Sequence, residues 1–279
     1  YWAPYVESVH QNPKVKLLEA DGRTFILGAG ENFDIIISEP SNPWIAGIGN
    51  LYTREFYQNS KKKLSDDGVF LQWCNLYAIS PDDLNMVLRS FFQCYEHGDI
   101  WLGGGDLMLI GSKKPLQCKT ERLREYWEQH PTLKYELAEL GFLEPEEILG
   151  QFISSWDFAK SRVGPGPVNS DDRPLLEYSA PRSLYRKDSV VKNLQWVLAL
   201  REASQSFPGG LEPSKKERLQ ARLGNFACLF RDMVKIPKDQ ADPSEYADFF
   251  ALLQQMSASQ PLPEKLPEFL RKYTNFTRS

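Results

Sequence analysis

Metal-ligating and disulfide-forming residues are scarce in this chain. It has 279 residues, three of them histidine and four cysteine. Cys74, Cys94, Cys118 and Cys228 lie far apart with no Cys-x-x-Cys pair and no Cys/His cluster, which argues against a metal site or a disulfide framework. His10, His97 and His130 have no partner at ligand spacing. No apolar stretch reaches the roughly 18 residues needed to cross a bilayer, and no signal peptide opens the chain. A reducing, cytoplasmic setting is therefore expected. The net charge of −4 comes without a basic stripe, so no nucleic-acid partner is expected. Gly28-Ala29-Gly30, Gly47-Ile48-Gly49 and Gly103-Gly104-Gly105 are glycine-rich, but none follows a strand with the Gly-x-Gly-x-x-Gly spacing that admits a dinucleotide phosphate. They read as turns.

What the chain does have is apolar periodicity, with 42% hydrophobic and 13% aromatic residues, as in a globular protein. Val15-Lys16-Leu17-Leu18-Glu19-Ala20 reads as a short strand ending at Asp21-Gly22, a turn signal, with a helical turn after it. Phe33 to Ser38 is a second strand. Its short apolar run, stopped by Glu39-Pro40-Ser41-Asn42-Pro43-Trp44, predicts burial on both faces in the middle of a parallel sheet. Leu51 to Tyr57 continues into Lys61-Lys62-Lys63-Leu64 as an amphipathic helix with a basic last turn, ended by Asp66-Asp67-Gly68. Val69 to Trp73 is the third strand. Ser80-Pro81-Asp82-Asp83 opens a helix that buries Leu84, Val87, Leu88, Phe91 and Phe92. Ile100 to Leu102 and Asp106 to Gly111 form two strands around a glycine turn, with Asp106 given a structural role beside that turn. From Lys119 to Phe158 the pattern is helical, Leu175 to Tyr178 reads as an edge strand, and beyond Arg182 helices alternate with proline-rich connectors.

Open α/β sheets bind ligands beyond the carboxyl ends of their strands. Asp21 and Glu39 follow two successive strands and would face one edge. Acidic side chains there can accept hydrogen bonds from an amine or from adenine N6, or take a proton from an attacking amine.

Taken together, these segments resemble the spermidine/spermine synthase family. Ser38-Glu39-Pro40-Ser41-Asn42-Pro43-Trp44-Ile45-Ala46-Gly47 and Asn169-Ser170-Asp171-Asp172-Arg173-Pro174-Leu175-Leu176-Glu177-Tyr178 resemble its bacterial spermidine-synthase-like branch, over roughly Tyr1 to Tyr185. The resemblance implies an α/β fold: a partial Rossmann-like methyltransferase sheet, mostly parallel with a C-terminal antiparallel hairpin, over residues 1–185. It would carry a helical insertion at about 119–160 and be followed by an α-helical region over 186–279. It implies decarboxylated S-adenosylmethionine or S-adenosylmethionine as co-substrate, no metal, and a small-molecule amine as partner. A homodimer is compatible with it, as is attachment of a longer protein to a membrane segment.

By the same resemblance Asp21, Gly22 and Ser38 hold the cofactor, Glu39 is the base toward the attacking amine, and Asn42, Gln72, Asn169 and Asp171 meet the substrate. Glu39 and Asn42 stand where the family has two aspartates, so this loop carries less negative charge, which weakens steering of a diamine. Two other readings remain open. One is methyl transfer, because Ser41-Asn42-Pro43-Trp44 is similar to the Asn-Pro-Pro-aromatic loop of amino-group methyltransferases. The other is a non-catalytic interaction module. The family's glycine-rich cofactor loop would lie before Tyr1, so the chain is expected to be a piece of a longer protein. Alone it should bind S-adenosylmethionine weakly, and a low-micromolar affinity in calorimetry would contradict that.

Overall fold

The computed structural model describes residues 11–103, 106–139, 142–186 and 189–204. Most of the helical region expected over 186–279 lies outside the described residues. Asp21 caps the first helix, α1 (Gly22–Gly28), by accepting the Thr24 N–H at 2.7 Å. Strand β1 (Phe33–Ser38) is followed by a 3-10 turn, Ile48–Tyr52, and helix α2 (Arg54–Lys62). Thr53 caps α2 through its hydroxyl, and Lys61 and Lys62 occupy the last turn, where cations complement the helix dipole. Then come β2 (Leu64–Cys74), α3 (Pro81–Phe92), β3 (His97–Gly103), β4 (Asp106–Ser112), α4 (Thr120–Gln129), α5 (Pro131–Glu139), β5 (Phe152–Ser155), α6 (Trp156–Val163), α7 (Leu175–Ser183) and α8 (Ser189–Ser204). Ser80 caps α3 by accepting from Asp83 N–H at 3.1 Å, with Pro81 in the first turn, as the sequence predicts.

The strands form one sheet in the order β1-β2-β4-β3-β5. β1 and β2 are parallel, whereas β4 lies antiparallel between β2 and β3 and β5 lies antiparallel against β3. The α/β class and the closing antiparallel hairpin agree with expectation. The sheet is nevertheless mixed, not mostly parallel. Three strands point one way, but the return strand of the hairpin inserts between β2 and β3, so a single neighbouring pair is parallel.

Other expectations need correction. Val15 to Ala20 forms no strand; Leu17 and Leu18 are exposed, and β1 ends the described sheet. β1 is accordingly an edge strand and not a central one: Ile36 is buried but Ile35 and Ile37 are 63% and 65% exposed. Asp66-Asp67-Gly68 does not end α2 but bulges within β2, since Phe33 pairs with Leu64 and Ile35 already with Val69. Leu175 to Tyr178 begins α7, whose buried Leu176, Ala180 and Ser183 recur at helical spacing. The segment 119–160 holds, besides its helices, the strand β5.

Aromatic side chains fill the space between the sheet and α2, α3 and α6. Phe70 of β2 meets Phe56, Tyr57, Phe91 and Tyr95, with ring centroids 5.7–6.0 Å apart. Trp156 closes the cluster, edge-on to Phe91 and Phe92 and donating its indole N–H to the Tyr95 carbonyl at 2.8 Å. The Tyr95 ring lies so close to Gly111 that a Cβ there would come within 2.5 Å of it, so β4 needs glycine at this point. Phe70 is fully buried, and Phe70→Ala should cost about 3–5 kcal/mol in urea unfolding. A loss under about 1 kcal/mol would contradict this account of the core.

Candidate active site

The loop that leaves β1 begins with Glu39 and ends in the 3-10 turn at Ile48. Ser38, the last residue of β1, pairs with Gln72 of β2, and the Gln72 amide donates to the carbonyls of Ser38 and Trp73 at 3.4 and 2.9 Å. Glu39 is exposed, and among the described residues no hydrogen bond or ion pair holds its carboxylate. Asn42 accepts a hydrogen bond from the Tyr77 hydroxyl at 3.0 Å, and the Trp44 ring meets the Tyr77 ring edge-on at 5.8 Å. Pro43 is buried between them in sequence.

Asp106 opens β4 opposite Gly103, at this same end of the sheet. Burial pushes its carboxyl up to about 6; the Trp73 indole and the Leu76 amide oppose the rise and the Glu39 charge adds to it. Its Oδ1 is buried and has no hydrogen-bond partner. Gln72 Oε1 and Asn75 Oδ1, both on fully buried residues, are likewise without a donor. The Tyr52 hydroxyl reaches the Trp73 carbonyl at 3.4 Å, and burial raises its pKa well above the usual phenol range, so it stays protonated. The mouth of the sheet therefore offers acceptor oxygens and carboxylates and few donors.

Beside this loop lies a cavity of about 400 Å³ lined by Asp21, Arg23, Gly47, Ile48, Asn50, Leu51 and Asp171. Arg23 pairs with Asp171 across it and also donates to the Asn50 carbonyl at 2.8 Å. Asp21 and Asp171, both singled out in the sequence, thus meet at one cavity, and Gly22 begins the helix that Asp21 caps. Asp171 also donates its backbone N–H to Glu55 at 2.9 Å.

Asn169 is placed differently, being fully buried. Its amide donates to the Gly49 carbonyl at 3.0 Å and accepts from Leu176 N–H at 3.1 Å; its own N–H donates to Ser90 Oγ at 2.9 Å, and its carbonyl accepts from Arg54 N–H at 2.9 Å. Nearby, Glu177 of α7 accepts from Gly47 N–H at 2.8 Å. Gly47 has φ of 84°, a conformation that glycine adopts without strain. The two long motifs of the sequence, 38–47 and 169–178, are therefore in direct contact. Arg23, Tyr77 and Asp106 are residues of this region that sequence reasoning missed, and Glu177 entered it only as part of the second motif. Only Asp106, set at a strand end, carried a local signal for it.

Among the described residues no group of histidine, cysteine and carboxylate side chains could hold a metal ion, and no helix is long and apolar enough to cross a membrane.

Residues 3–95 match the spermine/spermidine synthase domain. Over this third of its length the chain is similar to the spermidine/spermine synthase family. It is similar to polyamine aminopropyltransferases from Pyrobaculum calidifontis, at 28% identity over 109 residues (35% of this chain, 38% of the relative), and from Buchnera aphidicola, at 36% over 91 residues (32% and 31%). The enzyme of the same name from Clostridium botulinum is 30% identical over 88 residues, 30% of this chain and 31% of the relative. The chain spans about a third of the length of these relatives. The family match includes Asp21, Glu39, Asn42 and Gln72 and ends before Asp106 and Asn169.

The contacts of Asn169 predict that Asn169→Ala destabilises the protein by about 2–4 kcal/mol, because Gly49 C=O and Leu176 N–H would be left buried without partners. Thermal unfolding of the variant checks this. An unchanged midpoint would mean that water replaces the side chain at no cost.

Proposed function

We propose that this chain supplies the amine-facing side of an aminopropyltransferase site in its parent protein, with Glu39 as proton acceptor. The observation that carries the reading is the exposed, unpaired Glu39 carboxylate at the carboxyl end of β1, beside a second, half-buried carboxylate at the start of β4. A mouth rich in carboxylates and unpaired acceptor oxygens suits a cationic, donor-rich ligand, and an amine is one. The relatives' name, polyamine aminopropyltransferase, supports the same class of reaction.

In this reading decarboxylated S-adenosylmethionine is the co-substrate. A neutral amine nitrogen attacks the carbon next to its sulfonium; the new C–N bond forms as the C–S bond breaks, and methylthioadenosine leaves with the bonding pair. Glu39 takes the proton that the nitrogen sheds. Holding the two reactants together supplies much of the rate, and the base a further share. Asp21 and Gly22, on the rim of the cavity, would hold the adenine end, with Ser38 contributing from the end of β1. Asn42 and Gln72 would line the amine side. Asp171 would close the cavity through Arg23, and Asn169 would act through the backbone that it anchors. The cavity of about 400 Å³ supports this division, being lined by the Asp21 and Asp171 carboxylates and by the Arg23 guanidinium that pairs with Asp171.

Glu39→Gln in the full-length protein should lower turnover at least about a hundredfold, the lower end for loss of a general base, with no change in the unfolding midpoint. Turnover within about threefold of the parent would remove Glu39 from the chemistry.

A further inference from the structure

We propose that Asn193 of α8 is a positioning residue for the mouth of the sheet: it braces a strained turn after β2 and so sets the Tyr77 side chain, which holds the middle of the Glu39 loop. This rests on the aminopropyl-transfer reading above for what the loop does, though not for how the loop is held.

The chain leaves β2 at Cys74 and reaches Ser80, the cap of α3, through residues 75–79. Leu76 and Ile79 are fully buried, while Tyr77 is 36% exposed. Beside Tyr77, Ala78 has φ of 48°, and it is the one non-glycine residue with a positive φ among the described residues. An alanine in that region is strained, and such a conformation persists only where its surroundings over-determine it. Glycine would adopt it without that cost.

The surroundings that impose it come largely from α8. Asn193 is buried and donates its side-chain N–H groups to the Leu76 carbonyl at 2.9 Å and the Ile79 carbonyl at 2.8 Å. These two bonds bracket Tyr77 and Ala78. The Asn193 Oδ1 is buried without a partner, which carries a cost that an apolar side chain would not. What the amide adds at this position is its pair of donors. Asn75 donates its side-chain N–H to the Tyr77 carbonyl, and Ser80 N–H donates to Ser183 Oγ of α7 at 3.1 Å.

Held in this way, the turn directs Tyr77 across to the loop after β1. Its hydroxyl donates to Asn42 Oδ1 at 3.0 Å and its ring meets Trp44 edge-on at 5.8 Å. Asn42 and Trp44 lie between the fixed ends of that loop, Ser38 paired with Gln72 and Gly47 bonded to Glu177. Asn193 therefore acts on the loop at one remove, through Tyr77. A merely structural amide would tie α8 to the turn and be indifferent to what Tyr77 touches. A positioning one matters to the chemistry, since displacing a reacting group by about 1 Å can cost about a hundredfold in rate.

The test uses the full-length protein with 1,4-diaminobutane and decarboxylated S-adenosylmethionine. It follows turnover together with hydrogen exchange of residues 39–47, where Ile45 N–H donates to the Asn42 carbonyl and Gly47 N–H to Glu177. For Asn193→Ala we expect exchange in this segment to quicken about threefold or more while β3 and β4 keep the parent's rates. We expect kcat to fall about tenfold or more. Ala78→Gly removes the strain that Asn193 offsets, and combined with Asn193→Ala it should restore both quantities in part. In a Tyr77→Ala background, Asn193→Ala should change either by less than about threefold, because the route is already cut. Asn193→Ser takes the place of Asn193→Ala should the latter not fold. If no amine is turned over but exchange responds in this pattern, the transfer reading fails and the brace stands. The proposal is overturned if Asn193→Ala leaves exchange of 39–47 unchanged, or quickens exchange alike throughout the protein. It is equally overturned if kcat is measurable and unchanged, or if the effects of Asn193→Ala and Tyr77→Ala add in full.

Discussion

One buried amide ties the region together. Asn169 bonds to Gly49 after the β1 loop, to Leu176 at the start of α7 and, through its backbone, to Ser90 of α3 and Arg54 of α2. Four segments distant in sequence thus share a single anchor. The position of the Glu39 loop follows from it: one end is fixed by the pairing of β1 with β2, the other by Asn169 at Gly49 and Glu177 at Gly47. Two prolines stiffen what lies between. Glu39 is thereby carried on a braced loop while its own carboxylate stays exposed.

Much of the fold was legible because local signals and tertiary packing agree. Ser80-Pro81-Asp82-Asp83 announced α3, and its buried face came from the spacing of Leu84, Val87, Leu88 and Phe91. β1 was found to the residue, yet its environment was misjudged. A short apolar run has the same appearance whether it is flanked by strands on both sides or on one, and Ile35 and Ile37 are in fact exposed. Val15 to Ala20 had the composition of a strand, but a strand exists only through its ladder, and none is formed there. Leu175 to Tyr178 was read over four residues, too few to distinguish a period of two from one of 3.6. Strand β5, equally short, was hidden in a helical pattern.

The candidate site was legible in the same uneven way. The rule that α/β sheets place ligands at strand ends pointed to Glu39 and Asp21; Glu39 does follow β1, whereas no strand precedes Asp21, which caps α1. Asn169 was chosen for its motif, but its amide turns inward and braces the backbone. Asp106 was passed over because an acidic residue beside a glycine turn has an ordinary structural explanation. Its burial, its partnerless oxygen and its proximity to Glu39 are properties of three-dimensional contact that sequence spacing does not carry. The ion pair of Arg23 with Asp171 spans 148 positions and is equally invisible from either end.

The central claim is that the mouth formed by β1, β2 and β4 accepts an amine and supports its alkylation by an aminopropyl group. The most direct measurement is identification of the sulfur-containing product when the full-length protein is incubated with a diamine and decarboxylated S-adenosylmethionine, and in parallel with S-adenosylmethionine. The account predicts methylthioadenosine, formed in step with an aminopropylated amine, from the first mixture and no product from the second. S-adenosylhomocysteine from the second mixture, with no methylthioadenosine from the first, would contradict it.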